Sequence, residues 1–428
     1  MRPARRGQPR IVFLHYSAPP IVGGVEAVIA EQVRLFSEAG FPTLIIAGRK
    51  ADEMPPETGP VVIIPELDSE NPRYLAIVDA LKEGKLPPEF AALQAVIESG
   101  LEAAVKPDDI VIAHNVMTTH FNLALTSAVH HLLAGHRLPR LIIWCHDISR
   151  HVNPDRPEPQ YRGAPWDLLR TWLPQATYVA VSTSRQQTLA AIIDCPVDAI
   201  RVVPNGVDPL RLLALSPTGQ DLAVTYGLYW ADLVILMPVR ITRVKNIEFA
   251  LRVVQLLKRS GLLVRLVVTG PPDPHAPDIP DYFQHLLDLR EQLSLQEDAC
   301  FVYEGTAQNP GPLGIDAAVV AELYRLADVI LMPSLREGFG IPVLEALLVD
   351  RPVFATSIPV TQDLPEFHHL IRKDESPDSV AQRIAEWAKS DSTHHLRSVV
   401  RRDYTWSGIF TKRILPLIDG VQRDGPHP

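Results

Sequence analysis

The stretch that decides the fold is "IVFLHYSAPPIVGGVEAVIAEQVRLF", which runs from Ile11 to Phe36. It opens with four apolar residues, Ile11–Leu14, a length that suits a buried strand. A loop containing Gly23 and Gly24 follows, and apolar residues then recur at helical spacing. A strand, a glycine loop and a helix in this order are typical of the first βα unit of a Rossmann-type domain.

Further apolar runs follow along the chain, separated by helical or loop segments. They are Leu44–Ala47, Val61–Ile64, Ile110–Ala113, Leu141–Trp144 and Tyr178–Val181. Apolar runs without polar alternation indicate a parallel sheet that helices cover on both faces. The turn-rich stretch "RVVPNGVDP", Arg201–Pro209, interrupts this pattern and predicts a domain boundary.

A second series of apolar runs begins after this turn. Its members are Leu233–Met237, Leu263–Thr269, Cys300–Tyr303, Val329–Met332 and Val353–Thr356. We therefore expect an α/β protein with two facing Rossmann-like, doubly wound parallel-sheet domains, at residues 1–208 and 209–400. The tail, residues 401–428, has apolar residues on one side of a predicted helix. Because an apolar stripe must be buried, we expect this helix to pack back on the first domain. The stripe consists of Trp406, Phe410, Ile414 and Leu417.

The composition also limits the class of protein. The chain has 428 residues, of which 46% are hydrophobic and 21% are charged. Its formal net charge of −9 argues against a general binder of nucleic acid or anionic membranes, because such partners select a basic surface. The apolar runs are shorter than the ~18 residues that a transmembrane helix needs. Three widely spaced cysteines, Cys145, Cys195 and Cys300, indicate buried, reduced thiols in a cytoplasmic protein.

Ligands of open α/β sheets bind at the carboxyl ends of the strands, and two facing domains would leave a cleft there. Polar residues and glycines that directly follow a predicted strand are therefore candidates for a functional site. In the first domain these are Gly23, Gly24, His114, Asn115, His146 and Asp147. In the second domain they are Arg240, Gly270 and Glu337.

The stretch "SLREGFGIPVLEALL", Ser334–Leu348, places two acids around a glycine loop at the start of a helix. The free N–H groups of residues 338–341 would form an anion site suited to a diphosphate. Glu345 alone would be explained by the helix dipole, but together with Glu337 it suits a ligand rich in phosphate and hydroxyl groups. Arg240 and Lys245 supply the positive charge that would neutralise a diphosphate.

Several motifs resemble those of the retaining nucleotide-sugar glycosyltransferases of family 4, which have the GT-B fold. They are "GGVE" at 23–26, "VPNGVD" at 203–208, "RITRVKN" at 240–246, "LADVILMPSLREGFGIPVLEAL" at 326–347, and Trp406 in the tail. The most specific of these elements is the pair Glu337 and Glu345, which seven residues separate.

The resemblance implies a role for individual residues. Glu345 would hold the ribose hydroxyls of the nucleotide, and Gly24 would lie over the diphosphate. The implied donor-binding set is Gly23, Gly24, Arg240, Lys245, Gly270, Glu337, Gly338, Phe339, Gly340, Ile341 and Glu345. The implied catalytic set is Glu337, His146, Arg240 and Lys245, and the residues expected on the acceptor side are His114, Asn115 and Asp147.

The chemistry of the leaving group leads to an expected mechanism. Breaking the bond between a sugar and a diphosphate builds negative charge, which Arg240, Lys245 and the helix amides would stabilise without a metal ion. The sequence has no Asp-x-Asp pair, and its histidines between 114 and 151 are irregularly spaced, so we expect no metal and no obligatory cofactor. Retention would follow from front-face attack, in which the departing phosphate takes the acceptor proton and neither glutamate is a nucleophile.

The donor and the acceptor stay open at this point. Proline-rich stretches at 271–283 and 307–318 lie where the nucleotide base is expected, and they favour GDP-mannose over UDP-glucose. Segments 71–98 and 149–166 are expected to shape the acceptor side, and a small soluble acceptor with a hydroxyl group is favoured. A non-catalytic nucleotide-sugar-binding subunit stays an alternative, and the combined motifs point away from a nucleotide-sugar epimerase. The oligomeric state is not indicated.

Overall fold

The computed structural model describes residues 8–21, 23–274, 279–306 and 308–423. The chain forms two compact units, one of residues 1–206 and 406–428, and the other of Val207–Thr405. Each unit contains one parallel sheet with an apolar core on each face. The prediction of two doubly wound α/β domains is therefore confirmed.

The first unit has a seven-stranded sheet in the order β3-β2-β1-β4-β5-β6-β7. The strands are β1 Ile11–Leu14, β2 Thr43–Ala47, β3 Val61–Ile63, β4 Ile110–His114, β5 Arg140–Cys145, β6 Thr177–Ala180 and β7 Ile200–Val202. The helices are α1 Gly24–Glu38, α2 Pro72–Leu75, α3 Val78–Lys82, α4 Pro88–Ala104, α5 Leu123–Ala134 and α6 Thr183–Ile193. All neighbouring strands run parallel.

The second unit has a six-stranded parallel sheet in the order β10-β9-β8-β11-β12-β13. Its strands are β8 Leu233–Met237, β9 Val264–Val268, β10 Ala299–Phe301, β11 Val329–Met332, β12 Val353–Thr356 and β13 Leu370–Ile371. Its helices are α7 Pro209–Leu212, α8 Pro217–Thr225, α9 Ile247–Arg259, α10 Ile279–Gln292, α11 Ala317–Leu326, α12 Ile341–Leu348, α13 Pro359–Asp363, α14 Pro377–Ser390 and α15 Ser392–Asp403.

In each sheet the direction of strand succession reverses at one point. Strand β1 lies between β2 and β4, and β8 lies between β9 and β11. The connections that leave two such neighbouring strands run to opposite faces of the sheet, which opens a crevice at their carboxyl ends. The segments after β1 and β4, and those after β8 and β11, are therefore the places to look for a site.

The last segment of the chain packs on the first unit. It consists of α16 Trp406–Ile409, a π-helical turn Phe410–Ile414 and α17 Leu415–Arg423. The whole predicted stripe is buried, and the ring of Phe410 lies 4.9 Å from that of Phe36 in α1. Gly206 is needed at this junction, because a Cβ there would lie 2.8 Å from the backbone nitrogen of Trp406.

The division between the units differs slightly from the predicted one. It falls after residue 206 rather than 208, and the returning segment starts at 406 rather than 401. Helix α15 stays with the second unit because Arg397 and Arg401 donate to the buried Asp328, at 3.3 and 2.7 Å. Charge pairs of this kind could not be read from the apolar pattern.

Segment 71–98 is largely helical. Helix α4 begins at Pro88 and buries Phe90, Leu93 and Ile97 in the core, so this half of the segment supports the sheet. The expectation that segment 71–98 helps to shape an acceptor side stays a prediction.

Cys145 and Cys300 are buried, Cys195 is partly exposed, and all three thiols are free. Within the described ranges, no helix has the combination of length and apolar character that crossing a membrane requires.

The pairing of Asp328 leads to a stability prediction. Asp328→Ala leaves Arg401 partly buried without its carboxylate, so the free energy of unfolding should fall by about 3–5 kcal/mol. Urea denaturation of the full chain measures the change. Asp374→Ala, at an exposed position, is the matched control and should cost less than about 0.5 kcal/mol. Equal effects of the two substitutions would contradict this account of α15.

Candidate functional site

A pocket of about 480 Å³ lies at the switch point of the second sheet. The segments that follow β8 and β11 form most of its walls, and Asp273, which follows β9, also lines it. The lining residues that were predicted from the sequence to bind the donor are Arg240, Lys245, Glu337, Phe339, Gly340 and Ile341. Six of the predicted donor-binding residues thus come together around one pocket, although 92 positions separate Lys245 from Glu337 in the chain.

Lys245 and Glu337 form an ion pair inside this pocket. The Nζ atom of Lys245 donates to Oε1 of Glu337 at 2.5 Å, and the hydroxyl of buried Ser334 donates to the same oxygen at 2.9 Å. The two side chains are only 18% and 10% exposed. Two donors hold the carboxylate, which fixes the position of the lysine at the pocket wall.

Backbone contacts tie the two loops together. Asn246 adopts a left-handed conformation, with φ of 54°, and its side-chain amide donates to the carbonyl of Pro333 at 3.2 Å. The N–H of Leu335 donates to the carbonyl of Val244 at 2.8 Å. Asn tolerates the left-handed region better than most residues, so the motif places Lys245 directly before a turn that locks onto the second loop.

The two glycines before α12 are not equivalent. Gly340 has φ of 104°, and a Cβ there would approach Cδ1 of Ile358 to 2.6 Å. A Cβ at Gly338 would meet no atom within 4 Å. Gly340 is therefore required by the fold of the loop, whereas the structure itself gives no packing reason for a glycine at 338.

Glu345 lies on the first turns of α12 and is exposed. It does not line the pocket; its Oε2 accepts a hydrogen bond from the hydroxyl of Tyr324 at 2.7 Å. The ring of Tyr324 is buried, and burial followed by this hydrogen bond raises the pKa of Tyr324. Tyr324 could not be predicted as a site residue, because nothing in its helical pattern distinguishes it from a core residue.

Gly270 packs closely against the backbone of the segment that carries Arg240. A Cβ at this position would lie 2.5 Å from the carbonyl oxygen of Val239 and 2.7 Å from Cα of Arg240. Gly270 does not line the pocket. The glycine allows β9 to end against the segment that carries Arg240, a close backbone approach that larger residues would block.

In the first unit, two histidines meet at the edge of the sheet. His114 ends β4 and is fully buried, and His146 follows β5. Their Nδ1 and Nε2 atoms, respectively, are 2.9 Å apart. A third histidine, His15, follows β1, and its Nδ1 lies 2.9 Å from the carbonyl oxygen of His114, to which it donates.

Asn115 and Asp147 have different roles at this edge. The side-chain oxygen of Asn115 accepts from the backbone N–H groups of His146 and Asp147, at 2.8 and 3.0 Å. Asn115 is buried, so its amide shapes the turn after β5. Asp147 is exposed on its side chain and pairs with Arg185 at 2.9 Å. Of the three residues expected on the acceptor side, Asp147 alone presents an exposed side chain.

The first turn of α1 holds an acid, Glu26, for which no role was predicted from the sequence. Gly23 caps α1 and Gly24 is its first residue. The carboxylate of Glu26 folds back beside Gly23, accepts from the hydroxyl of Ser17, and lies 3.8 Å from Nε2 of His15. His15 could have been predicted as a site residue from the sequence, because it directly follows β1. His114 and His146 lie in the same way at the ends of β4 and β5.

Burial keeps the rings of this edge neutral. Burial, and then the charge of nearby His15, lowers the pKa of His146 to about 3. The pKa of His114 is well below its ordinary value of 6.5 for the same first reason, and that of His15 is also lowered. Within the described ranges, no three residues among His, Cys, Asp and Glu are grouped closely enough to hold a metal ion.

The two glycines give a matched prediction. Gly340→Ala should lower the free energy of unfolding by about 1–3 kcal/mol, because φ is positive and the methyl group meets Ile358. Gly338→Ala should change it by less than about 0.5 kcal/mol. Urea denaturation of both variants measures the difference, and similar losses would show that the loop does not have this conformation.

The lowered pKa of His146 gives a pH prediction. The folded ring stays neutral down to about pH 3, whereas in the unfolded chain it takes up a proton below its ordinary pKa of 6.5. The folded state therefore loses stability as the pH falls through this window. His146→Gln should make the slope of unfolding free energy near pH 5 shallower by about 1.4 kcal/mol per pH unit.

Urea denaturation at several pH values from 5 to 7 measures that slope. The control is His285→Gln, at an exposed position in the second unit. An unchanged slope in His146→Gln would mean that the ring of His146 is not held neutral.

Two family models match consecutive parts of the chain. The model described as Glycosyltransferase Family 4 matches residues 22–211, and the one described as Glycosyl transferases group 1 matches residues 226–401. A D-inositol 3-phosphate glycosyltransferase of Stackebrandtia nassauensis is 24% identical over 99% of this chain and 94% of that protein. An uncharacterized glycosyltransferase of Methanocaldococcus jannaschii, MJ1607, is 26% identical over 54% of this chain, and the match spans 57% of MJ1607.

Solved structures match at lower identity. The crystal structure of a glycosyltransferase from Rickettsia africae aligns with 98% of this chain and 100% of that one, at 18% identity and a TM-score of 0.38.

The two family models between them account for most of both α/β units. The chain therefore belongs to the glycosyltransferases of family 4.

Proposed function

We propose that the enzyme is a retaining transferase that moves a hexosyl group from a nucleoside-diphosphate sugar to a hydroxyl of a small acceptor, without an obligatory metal ion. The observation that carries this proposal is the pocket after β8 and β11, where Arg240, Lys245 and the start of α12 surround one space with Glu337. A volume of about 480 Å³ is in the range of small-molecule sites.

The positively charged groups of the pocket suit a diphosphate leaving group. Arg240 offers a planar set of donors and Lys245 a point charge, and the N-terminus of α12 adds the positive end of a helix dipole. Groups that are already in place when charge develops need no reorganisation during the reaction. The ion pair with Glu337 supports this assignment, because it keeps Lys245 at the wall before any ligand arrives.

Glu337 is better suited to holding the sugar than to attacking it. Its Oε1 already accepts from Lys245 and Ser334, so the carboxylate is stabilised as a hydrogen-bond acceptor and is a weak nucleophile. Its Oε2 has no hydrogen-bond partner in the described part of the chain and is left to accept from a sugar hydroxyl. Glu345, steadied by Tyr324, would accept from the ribose hydroxyls.

The proposed step conserves the configuration of the sugar. The bond between C1 and the diphosphate oxygen breaks, and its electron pair stays on that oxygen. The acceptor oxygen forms a new bond to C1 on the same face, and its proton passes to the diphosphate oxygen. The sugar does not become covalently bound to the protein, and Arg240 and Lys245 stabilise the charge on the leaving group.

A phosphorylated polyol is the acceptor class with most support. The relative from Stackebrandtia nassauensis, which matches nearly the full length of this chain, is named a D-inositol 3-phosphate glycosyltransferase. We infer that the polar edge around His146 and Asp147 in the first unit receives such an acceptor. GDP-mannose and UDP-glucose both stay candidates for the donor.

The decisive experiment follows release of nucleoside diphosphate. The protein is incubated with UDP-glucose or GDP-mannose, each with and without D-inositol 3-phosphate, and the anomeric configuration of any product is read by proton NMR. Acceptor-dependent release with a retained anomer supports the proposal, and an inverted product would overturn it. Binding of a nucleotide sugar without release, over a wider panel of donors and polyols, would favour the non-catalytic alternative.

Removal of the pocket lysine gives a quantitative prediction. Lys245→Ala should weaken binding of UDP or GDP by about 10- to 100-fold, because one charge-assisted contact is worth about 1.5–3 kcal/mol. Titration calorimetry at fixed salt measures the affinity. Lys389→Ala, at an exposed position on α14, is the matched control. If both variants bind nucleotide as the unchanged protein does, the diphosphate does not lie beside Lys245.

A further inference from the structure

The two ring nitrogens of His114 have unequal surroundings. His114 is completely buried, with its ring 6.1 Å from that of Phe13 and 5.6 Å from that of Trp144. Its Nδ1 lies 2.9 Å from Nε2 of His146. Its Nε2 is buried and has no hydrogen-bond partner among the residues that the structure describes. One nitrogen is therefore satisfied and the other is buried without a partner.

The contact between the two histidines has the geometry of a hydrogen bond. The ring planes of His114 and His146 are only 23° apart, with centroids separated by 5.2 Å, so the short contact runs close to both planes. Burial keeps both rings neutral, as their lowered pKa values indicate. A neutral pair needs one N–H donor and one lone pair, which leaves two possible arrangements.

The unpartnered nitrogen distinguishes between these arrangements. If Nε2 of His146 were the donor, His114 would carry its own proton on Nε2, and that N–H would be buried without an acceptor. If Nδ1 of His114 is the donor, Nε2 of His114 carries only a lone pair. Buried N–H groups without an acceptor are rarer than acceptors without a full set of donors, because losing the single hydrogen bond of a donor is costly.

We propose that His114 is a positioning residue that donates from Nδ1 to Nε2 of His146 and thereby fixes His146 in the tautomer protonated at Nδ1. The Nδ1 atom of His146 has no partner in the described chain and is not enclosed. His146 then presents an N–H donor to its surroundings. A fixed donor can hold a sugar oxygen, but it cannot take the proton of an acceptor hydroxyl.

This inference deepens the proposed function, and only its catalytic consequence rests on that function. In the proposed step the diphosphate oxygen receives the acceptor proton, so the protein needs no base beside the sugar. A histidine held as a donor agrees with that requirement. The tautomer itself is a property of the resting protein, and it can be measured without substrate.

Nitrogen NMR of the full-length protein, labelled with ¹⁵N-histidine, tests the tautomer. Signals of His146 and His114 are assigned by their loss in His146→Gln and His114→Asn. We expect His146 to be protonated at Nδ1 and unprotonated at Nε2, and His114 to be unprotonated at Nε2. The opposite assignment, with His146 protonated at Nε2, would overturn the proposal.

Two substitutions test whether His114 is the cause. Asn places its amide nitrogen near the position of Nδ1, so His114→Asn should keep His146 in the same tautomer. His114→Leu fills the apolar space but removes the donor, so His146 should shift toward a mixture of tautomers. An unchanged tautomer in His114→Leu would exclude His114 as the determinant. If the leucine variant does not fold, the spectra of the unchanged protein still decide the tautomer of His146, and a changed tautomer in His114→Asn would contradict the proposed donor.

Activity provides the second measurement, with the donor and polyol that the release assay identifies. His114→Leu should lower kcat about tenfold with little change in the KM of the donor, as expected for one lost hydrogen bond in the transition state. His114→Asn should stay within about threefold of the unchanged enzyme. Equal losses of kcat in both variants would mean that His114 contributes only packing. Absence of transfer with every donor would count against the proposed function, while the NMR result would still decide the tautomer.

Discussion

The order of strands in the two parallel sheets is the constraint on which the candidate regions depend. Parallel pairing sends every strand of a sheet in one direction, so all the segments that follow a strand emerge at the same edge. Reversal of the order at β1 and β4, and again at β8 and β11, opens a crevice at that edge. The apolar strands are buried on both faces, so polar side chains are concentrated where the strands end.

Electrostatics then explains how the pocket of the second unit is kept ready. A partly buried cation is costly unless a carboxylate or a ligand accompanies it. Glu337 accompanies Lys245, and Ser334 holds Glu337, so the lysine has a defined position without a bound diphosphate. The histidines of the first unit follow a different rule. Burial keeps them neutral, and their function depends on which nitrogen carries the proton rather than on charge.

Much of the fold could be predicted from the sequence, since runs such as Ile11–Leu14 and Leu233–Met237 are apolar throughout and become central strands. The edge strand β10 was placed less well, because Val302 and Tyr303 extend the apolar run but turn into a 3₁₀ helix. Among the candidate residues, Arg240, Lys245 and Glu337 do line one pocket. Gly340 has a structural reason that the motif could not supply, because a Cβ at this position would approach Ile358 to 2.6 Å.

The sequence by itself determined the two α/β domains, the strands and the set of charged residues at their ends. Local periodicity and glycine loops involve residues that are close together in the chain, so they can be recognised without a structure. Only the tertiary structure decided which of these residues touch. Tyr324 meets Glu345 across 21 positions, and His114 meets His146 across 32. Such contacts depend on how strands are ordered and how loops close on one another, and a one-dimensional pattern carries no distance between residues that are far apart in the chain.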